Sequence, residues 1–227
     1  MKLDKLRSAF QHEGEFSRRL FLAYAASLAS VPLSGQCASA APRHSFTSDP
    51  FTCGVASGDP DHQSVVLWTR LAPKPLEPSG GMPNTPVAVH WELAADSAFK
   101  TIIQSGKINA TPALGHSVHV EPAGLKAGHW YFYRFQSGGA TSPIGRTRTL
   151  PAPADSPEKL RFAVTSCQNY EQGLFTAYQQ MAADDPDLVF HLGDYIYEYS
   201  GVNGRVRKHH GPEIETLDQY RSRYAQY

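Results

Sequence analysis

The sequence is poor in three things. It has no surplus of charge: 21 Lys and Arg are balanced by 21 Asp and Glu, for a formal net charge of zero over 227 residues. Such a chain presents no net basic field to a nucleic acid and no acidic field to a cationic surface, so no nucleic-acid-specific binding is expected. It has few cysteines, three in all, so at most one pair can be oxidised. It also lacks the apolar run of ~20 residues that a membrane-spanning helix needs; the apolar stretch FLAYAASLASVPL at residues 21–33 falls short of that. What remains is ordinary globular material, 41% hydrophobic and 19% charged, enough for one large domain or two small ones. The ten histidines are scattered, and there is no internal repeat or low-complexity tract.

The short apolar stretch has a different meaning. Ser17-Arg18-Arg19-Leu20-Phe21-Leu22 opens it, and Ala38-Ser39-Ala40 follows it. A basic segment, an apolar segment and small residues in that order read as an export signal over residues 1–40. The paired arginines resemble a twin-arginine signal, which sends proteins out already folded. The expected partner is the twin-arginine export machinery. The expected location is the bacterial periplasm or the outside, with no membrane span once the signal is removed. A folded-first route suits a protein that takes up metal before leaving the cytoplasm. Cys37 goes with the signal, leaving Cys53 and Cys167.

Residues 50–150 read as short strands. SVVLWTRL (64–71), PVAVHWELA (86–94), TIIQSGKI (101–108), HSVHVEP (116–122) and HWYFYRFQ (129–136) are β-branched or aromatic, with Gly or Pro between them. Alternating strands at this spacing predict an all-β sandwich of immunoglobulin or fibronectin type. The aromatics of residues 128–135 are read as a core strand. A Pro/Ala/Ser tract at 151–158 reads as a linker. Beyond it the pattern changes. KLRFAVTSC (159–167) is a continuous apolar strand of the kind covered on both faces. LFTAYQQMAAD (174–184) has apolar residues at helical spacing, and DLVFH (187–191) is a second short strand. Strand, helix and strand within about 35 residues predict a βαβ unit with parallel strands. Ligands bind at the carboxyl ends of such strands. Cys167 and Asp194 each lie just past one of those ends, so the fold should set them side by side.

Gly193-Asp194-Tyr195-Ile196-Tyr197 adds chemistry to that edge. Asp194 is a hard oxygen donor whose two oxygens can bridge two cations. Tyr197 offers a phenolate and Cys167 a thiolate, donors that favour an oxidised, acidic metal such as ferric iron. Gly193 lets the backbone turn sharply. Each residue also has a plainer reading. Asp194 can cap a turn, Tyr197 can be a packed aromatic, and Cys167 can be a buried small residue or the disulfide partner of Cys53. The ligand reading is preferred for Cys167, because a protein folded in a reducing cytoplasm keeps its thiols.

GVASGDPDHQSVVLWTRLAP (54–73), SPIGRTRTLPAP (142–153), SCQNYEQGLFTAY (166–178), HLGDYIYEY (191–199) and TLDQYRSRYAQY (216–227) together resemble the alkaline phosphatase D, or PhoD-like, family of metallophosphoesterases. The resemblance implies a β-sandwich followed by a calcineurin-like α/β phosphatase domain, starting here at residues 159–227. It implies hydrolysis of phosphate mono- and diesters, small phosphate esters as substrates, metal-activated water in place of a catalytic side chain, and ferric iron with calcium as cofactors. Cys167 and Tyr197 match iron ligands, and Asp194 matches the carboxylate shared between the two metals. Asn169, Arg207 and His210 lie in matching blocks as further residues around the metal or on the substrate side. The family's other ligands lie in later blocks. The chain is therefore expected to be an N-terminal portion, or a truncated product, inactive by itself. Two other readings are a purple-acid-phosphatase-like enzyme, disfavoured because Ser166-Cys167-Gln168 replaces an aspartate ligand, and a non-enzymatic exported β-sandwich binding module.

Overall fold

A computed structural model describes residues 45–227. The export segment 1–40, with its paired arginines and Cys37, lies outside the described residues.

The first architectural half is built from two antiparallel sheets. One has three strands in the order β1 (Val55–Gly58), β2 (Val66–Arg70), β5 (Ser117–Val120). The other runs β4 (Ile102–Ala110), β3 (Val87–Ala94), β6 (Trp130–Ser137), β7 (Ala140–Thr141), with β8 (Gly145–Arg148) also paired to β6. Alternation decides which side chains go inside. In β6, Tyr131, Tyr133 and Phe135 are buried, while Trp130 on the other face lies under the Arg146 guanidinium. These three join Leu67 of β2, Val89 and Leu93 of β3 and Val118 of β5 in one apolar cluster, so both sheets share a core. The outer face carries the cross-strand pair Glu92–Arg134, in register and 2.7 Å apart.

Two glycines in strands serve their aromatic neighbours. Gly106 pairs with Trp91, and Gly145 pairs with Tyr133. A Cβ on Gly145 would lie 2.2 Å from the Tyr133 ring, so the ring folds over the glycine where no other residue fits.

Residues 151–158 hold no strand and are mostly exposed. The second half then begins with β9 (Phe162–Thr165), followed by a 3-10 turn (Tyr170–Gln172), helix α1 (Thr176–Ala183) and β10 (Leu188–His191). β9 and β10 pair in parallel, Phe162 against Leu188 and Thr165 against His191, as the strand–helix–strand pattern predicts. Three details differ from the sequence reading. β9 is shorter than residues 159–167. α1 starts at Thr176 rather than Leu174, because Phe175 adopts a left-handed conformation (φ 60°) that no right-handed helix can include. The strand faces are also less covered than expected: Phe162, Val164, Val189 and Phe190 are all exposed, since among the described residues only the eight-residue α1 forms the crossover.

Helix α2 (Leu217–Gln226) closes the described chain. Thr216 and Gln219 form a reciprocal capping box at its start. It is tied to the antiparallel sheets by Arg70 Nη1, which donates to Arg221 O at 2.8 Å, and by Arg221 Nη2, which donates to Ala113 O at 2.6 Å. Ion pairs join the halves elsewhere: Arg148–Asp187 at 2.6 Å, and Arg146 with Asp185. Among the described residues no helix is long and apolar enough to cross a membrane.

Candidate metal centre

The parallel pairing of β9 and β10 continues past the strands themselves. Leu192 N donates to Thr165 O at 2.8 Å, Cys167 N to Gly193 O at 3.1 Å, and Gln168 N to Asp194 O at 3.3 Å. The two exit loops are thus held together at the carboxyl edge of the sheet. Both Cys167 (φ 55°) and Asp194 (φ 52°) are left-handed, and Gly193 has φ 119°. Two non-glycine residues in this sparsely populated region, one in each exit loop, cost free energy that the surrounding hydrogen bonds must offset. The result is convergence. Cys167 Sγ lies 3.5 Å from Asp194 Oδ2, and the Tyr197 hydroxyl donates to the same oxygen at 3.2 Å. Asp194 Oδ1 has no hydrogen-bond partner among the described residues.

The Tyr197 phenol is pushed up to about 12, first by burial and then by the negative charge of Asp194 and of a Cys167 thiolate. An ionised phenol here would set a second negative charge beside the Asp194 carboxylate. The same three groups suit a cation. Separations of 3.2 and 3.5 Å are close to those of two ligands that each sit roughly 2.0–2.3 Å from one ion. Among the described residues no group of three His, Cys, Asp or Glu side chains converges to hold a metal; the third polar group at this edge is the Tyr197 phenol. Cys167 and Asp194 are exposed, which leaves the centre open to ligands.

The other candidates have separate roles. Asn169 caps the 3-10 turn, its side chain accepting from Glu171 N at 3.0 Å. Arg207 donates from Nε to Tyr170 O at 2.9 Å and lies over the rings of Tyr170 and Phe175, while its buried Nη2 has no partner among the described residues. His210 is exposed; its amide donates to Gln226 Oε1, and its carbonyl accepts from Arg223. Cys53 and Cys167 are both free thiols, so the alternative of a disulfide between them is not realised. A cavity of about 900 Å³ lies between the antiparallel sheets and α2, lined by Cys53, Trp68, Arg70 and Tyr195 among others. It does not include the Cys167–Asp194–Tyr197 cluster, and Arg70 is already engaged by the carbonyls of Gly115 and Arg221.

Residues 36–151 match the N-terminal domain of PhoD-like phosphatases, and residues 162–227 match the PhoD-like phosphatase domain. The chain belongs to the PhoD-like phosphatase family. Alkaline phosphatase D of Bacillus subtilis (strain 168) is 48% identical over 238 residues, an alignment that takes in 99% of this chain and 40% of that protein. The solved structure of PhoD superposes with a TM-score of 0.77 at 54% identity, covering 81% of this chain and 36% of that one. The chain thus spans about 40% of the length of the curated relative it matches.

Sequence reasoning missed several residues that shape the loops around Cys167, Asp194 and Tyr197. Gln168 donates to Tyr195 O at 2.9 Å and accepts from the Tyr178 hydroxyl at 2.5 Å, which braces the loop after Cys167 against α1. Glu171 is buried, and its Oε1 accepts from the amides of Val202 and His209, both at 2.9 Å. His209, Tyr170 and Tyr227 pack as a mutual cluster, with ring centroids 5.5–5.9 Å apart. Arg223 of α2 is buried against the carbonyls of Tyr197 and Tyr199. Buried polar residues give no hydrophobic periodicity. The one readable signal was Thr216-x-x-Gln219, which marks the start of α2.

Proposed function

We propose that this chain is part of an exported phosphatase and phosphodiesterase of the alkaline phosphatase D type, acting on small phosphate mono- and diesters. The observation that carries the proposal is the convergence of Cys167, Asp194 and Tyr197 at the carboxyl edge of β9 and β10, in a chain of this family. In this reading Cys167 and Tyr197 hold iron. Asp194, which both other donors approach, would be the carboxylate shared between iron and calcium. Ferric iron and calcium would supply positive charge for the phosphate oxygens and acidity for water. The protein's own contribution is placement. The two left-handed residues and the zipped loops fix the donors before any ligand arrives. The twin-arginine-type segment at residues 1–40 supports export to the periplasm or beyond. The shared core of the two antiparallel sheets supports an immunoglobulin- or fibronectin-like sandwich, and the βαβ unit supports the start of a calcineurin-like domain.

The test is hydrolysis of p-nitrophenyl phosphate and bis(p-nitrophenyl) phosphate by the protein purified from its own host. Activity should disappear on chelation and fall at least 100-fold in Asp194→Asn. Full activity in Asp194→Asn, or activity indifferent to chelators, would overturn the reading.

A further inference from the structure

Helix α2 carries a buried charge facing the candidate centre. Arg223 is 2% exposed, and its guanidinium is met by four backbone carbonyls. Nη1 donates to Tyr197 O and to Tyr199 O, the latter at 3.0 Å. Nη2 donates to His210 O and Pro212 O, both at 3.4 Å. A buried guanidinium is costly to desolvate, so its place on a helix facing two loop segments needs a reason. The planar fork supplies one. Its donors point in fixed directions and can bind two separate stretches of backbone at once, which a lysine ammonium on a single flexible stem does far less well.

The stretch held by Nη1 is the one that bears Tyr197. With the Tyr197 and Tyr199 carbonyls drawn toward α2, the two rings stack with centroids 6.2 Å apart. The Tyr197 hydroxyl then reaches Asp194. α2 is itself anchored, by the Thr216 capping box and by the Arg70 and Arg221 bonds to the antiparallel sheets. We propose that Arg223 is the positioning residue of the centre: it fixes the backbone from which the Tyr197 phenol meets Asp194 and Cys167, and so sets the metal affinity of the site. The proposal rests on the reading of Tyr197 as a metal ligand.

The experiment uses the protein expressed in its own host and isolated with its metal. Four forms are compared: wild type, Tyr197→Phe, Arg223→Met and Arg223→Lys. The readouts are the visible charge-transfer band of a tyrosine on ferric iron, the iron affinity by competition with a chelator, and amide hydrogen exchange of the metal-free form. Wild type should show the band and Tyr197→Phe should lack it. Both Arg223 variants should bind iron at least tenfold more weakly, with a weakened or shifted band. Their amides at residues 195–199 should exchange at least tenfold faster, while those of β3 and β6 stay protected as in wild type. Failure of Lys to rescue separates a requirement for the fork from a requirement for charge alone. If Arg223→Met unfolds, Arg223→Lys decides by the same readouts. A wild-type band and affinity in a folded Arg223 variant would remove this proposal and leave the ligand reading standing. A wild type with no band, or a band that survives in Tyr197→Phe, would remove the ligand reading and this proposal with it.

Discussion

Arg70 Nη1 donates to the carbonyl of Arg221 at 2.8 Å, across 151 residues of sequence. Arg70 ends a strand in the antiparallel half, and Arg221 lies on α2 two residues before Arg223, which holds the Tyr197 loop. The bond therefore links the antiparallel sheets to the loop of the candidate metal centre through one helix. Arg70 is 5% exposed, and its Nε is also engaged, donating to Gly115 O at 3.0 Å. Arg70→Met would leave both carbonyls without these donors. The expected loss is about 1–3 kcal/mol of stability, chiefly the cost of leaving the buried Gly115 carbonyl unpaired. A urea midpoint equal to that of wild type would count against this.

Packing over Gly145 gives a sharper structural test. Gly145→Ala would place a methyl group 2.2 Å from the Tyr133 ring. Tyr133 is 2% exposed in the shared core and has little room to retreat. Overpacking of this kind costs about 1–3 kcal/mol. Thermal denaturation should show the loss, with Gly124→Ala as a comparison, where a methyl group meets nothing within 4 Å but the left-handed backbone is strained.

These two cases show what could be read from the chain. Alternation exposed β2, β3 and β6, because apolar residues there face one shared core. β1 and β8 were not recognised. Val55-Ala56-Ser57-Gly58 and Gly145-Arg146-Thr147-Arg148 carry too few apolar side chains to signal a strand, and their pairing with β2 and β6 makes them strands. The meeting of Cys167 with Asp194 was legible, since parallel strands with one crossover bring their carboxyl ends together. Arg223 and His209 were not, because a buried polar residue looks like a surface residue in sequence and only its carbonyl and aromatic partners give it away.

Asp187 should make stability sensitive to acid. Its carboxylate accepts from Arg161 N at 2.9 Å and from Arg148 Nη1 at 2.6 Å. The Arg161 amide bond, helped by the Arg148 charge, holds its pKa below the usual carboxylate value despite partial burial. With the folded pKa below the unfolded one, its contribution is complete above the unfolded value of about 4 and is lost as pH falls through the folded pKa. Asp187→Asn should be less stable at neutral pH and show a shallower decline between neutral and acidic pH. Equal slopes of urea midpoint against pH for the two proteins would refute the assignment.

His209 should act over a different range. Its Nδ1 faces Tyr199 O at 3.1 Å, so Nδ1 carries the proton, and the neutral Nε2 accepts from the Tyr227 hydroxyl at 2.9 Å. Burial, then the nearby Arg223 charge, lowers its pKa from the usual histidine value, with Glu171 opposing. Here the folded state favours the neutral ring. Stability is therefore greatest above the unfolded pKa of about 6.5 and falls as pH drops below it toward the folded pKa. His209→Gln should remove that step. Stability measured at closely spaced pH values between about 5 and 7.5 would reveal it, and a step that persists in the variant would assign it to another group.

Removing single donors from the centre should have graded effects. Tyr197→Phe keeps the ring but deletes the oxygen that reaches Asp194 Oδ2. Cys167→Ser shortens and hardens the donor that lies 3.5 Å from the same oxygen. Asp194→Asn removes the one carboxylate that both other donors approach. In the reading proposed above, Asp194 is the shared element, so its loss should abolish binding of both cations. Loss of Tyr197 or Cys167 should weaken iron and spare calcium. Metal content of the three variants, measured by mass spectrometry of acid-digested protein after purification from the natural host, separates these outcomes. Equal depletion of both metals in all three would mean that the donors act as one unit and that Asp194 has no bridging role.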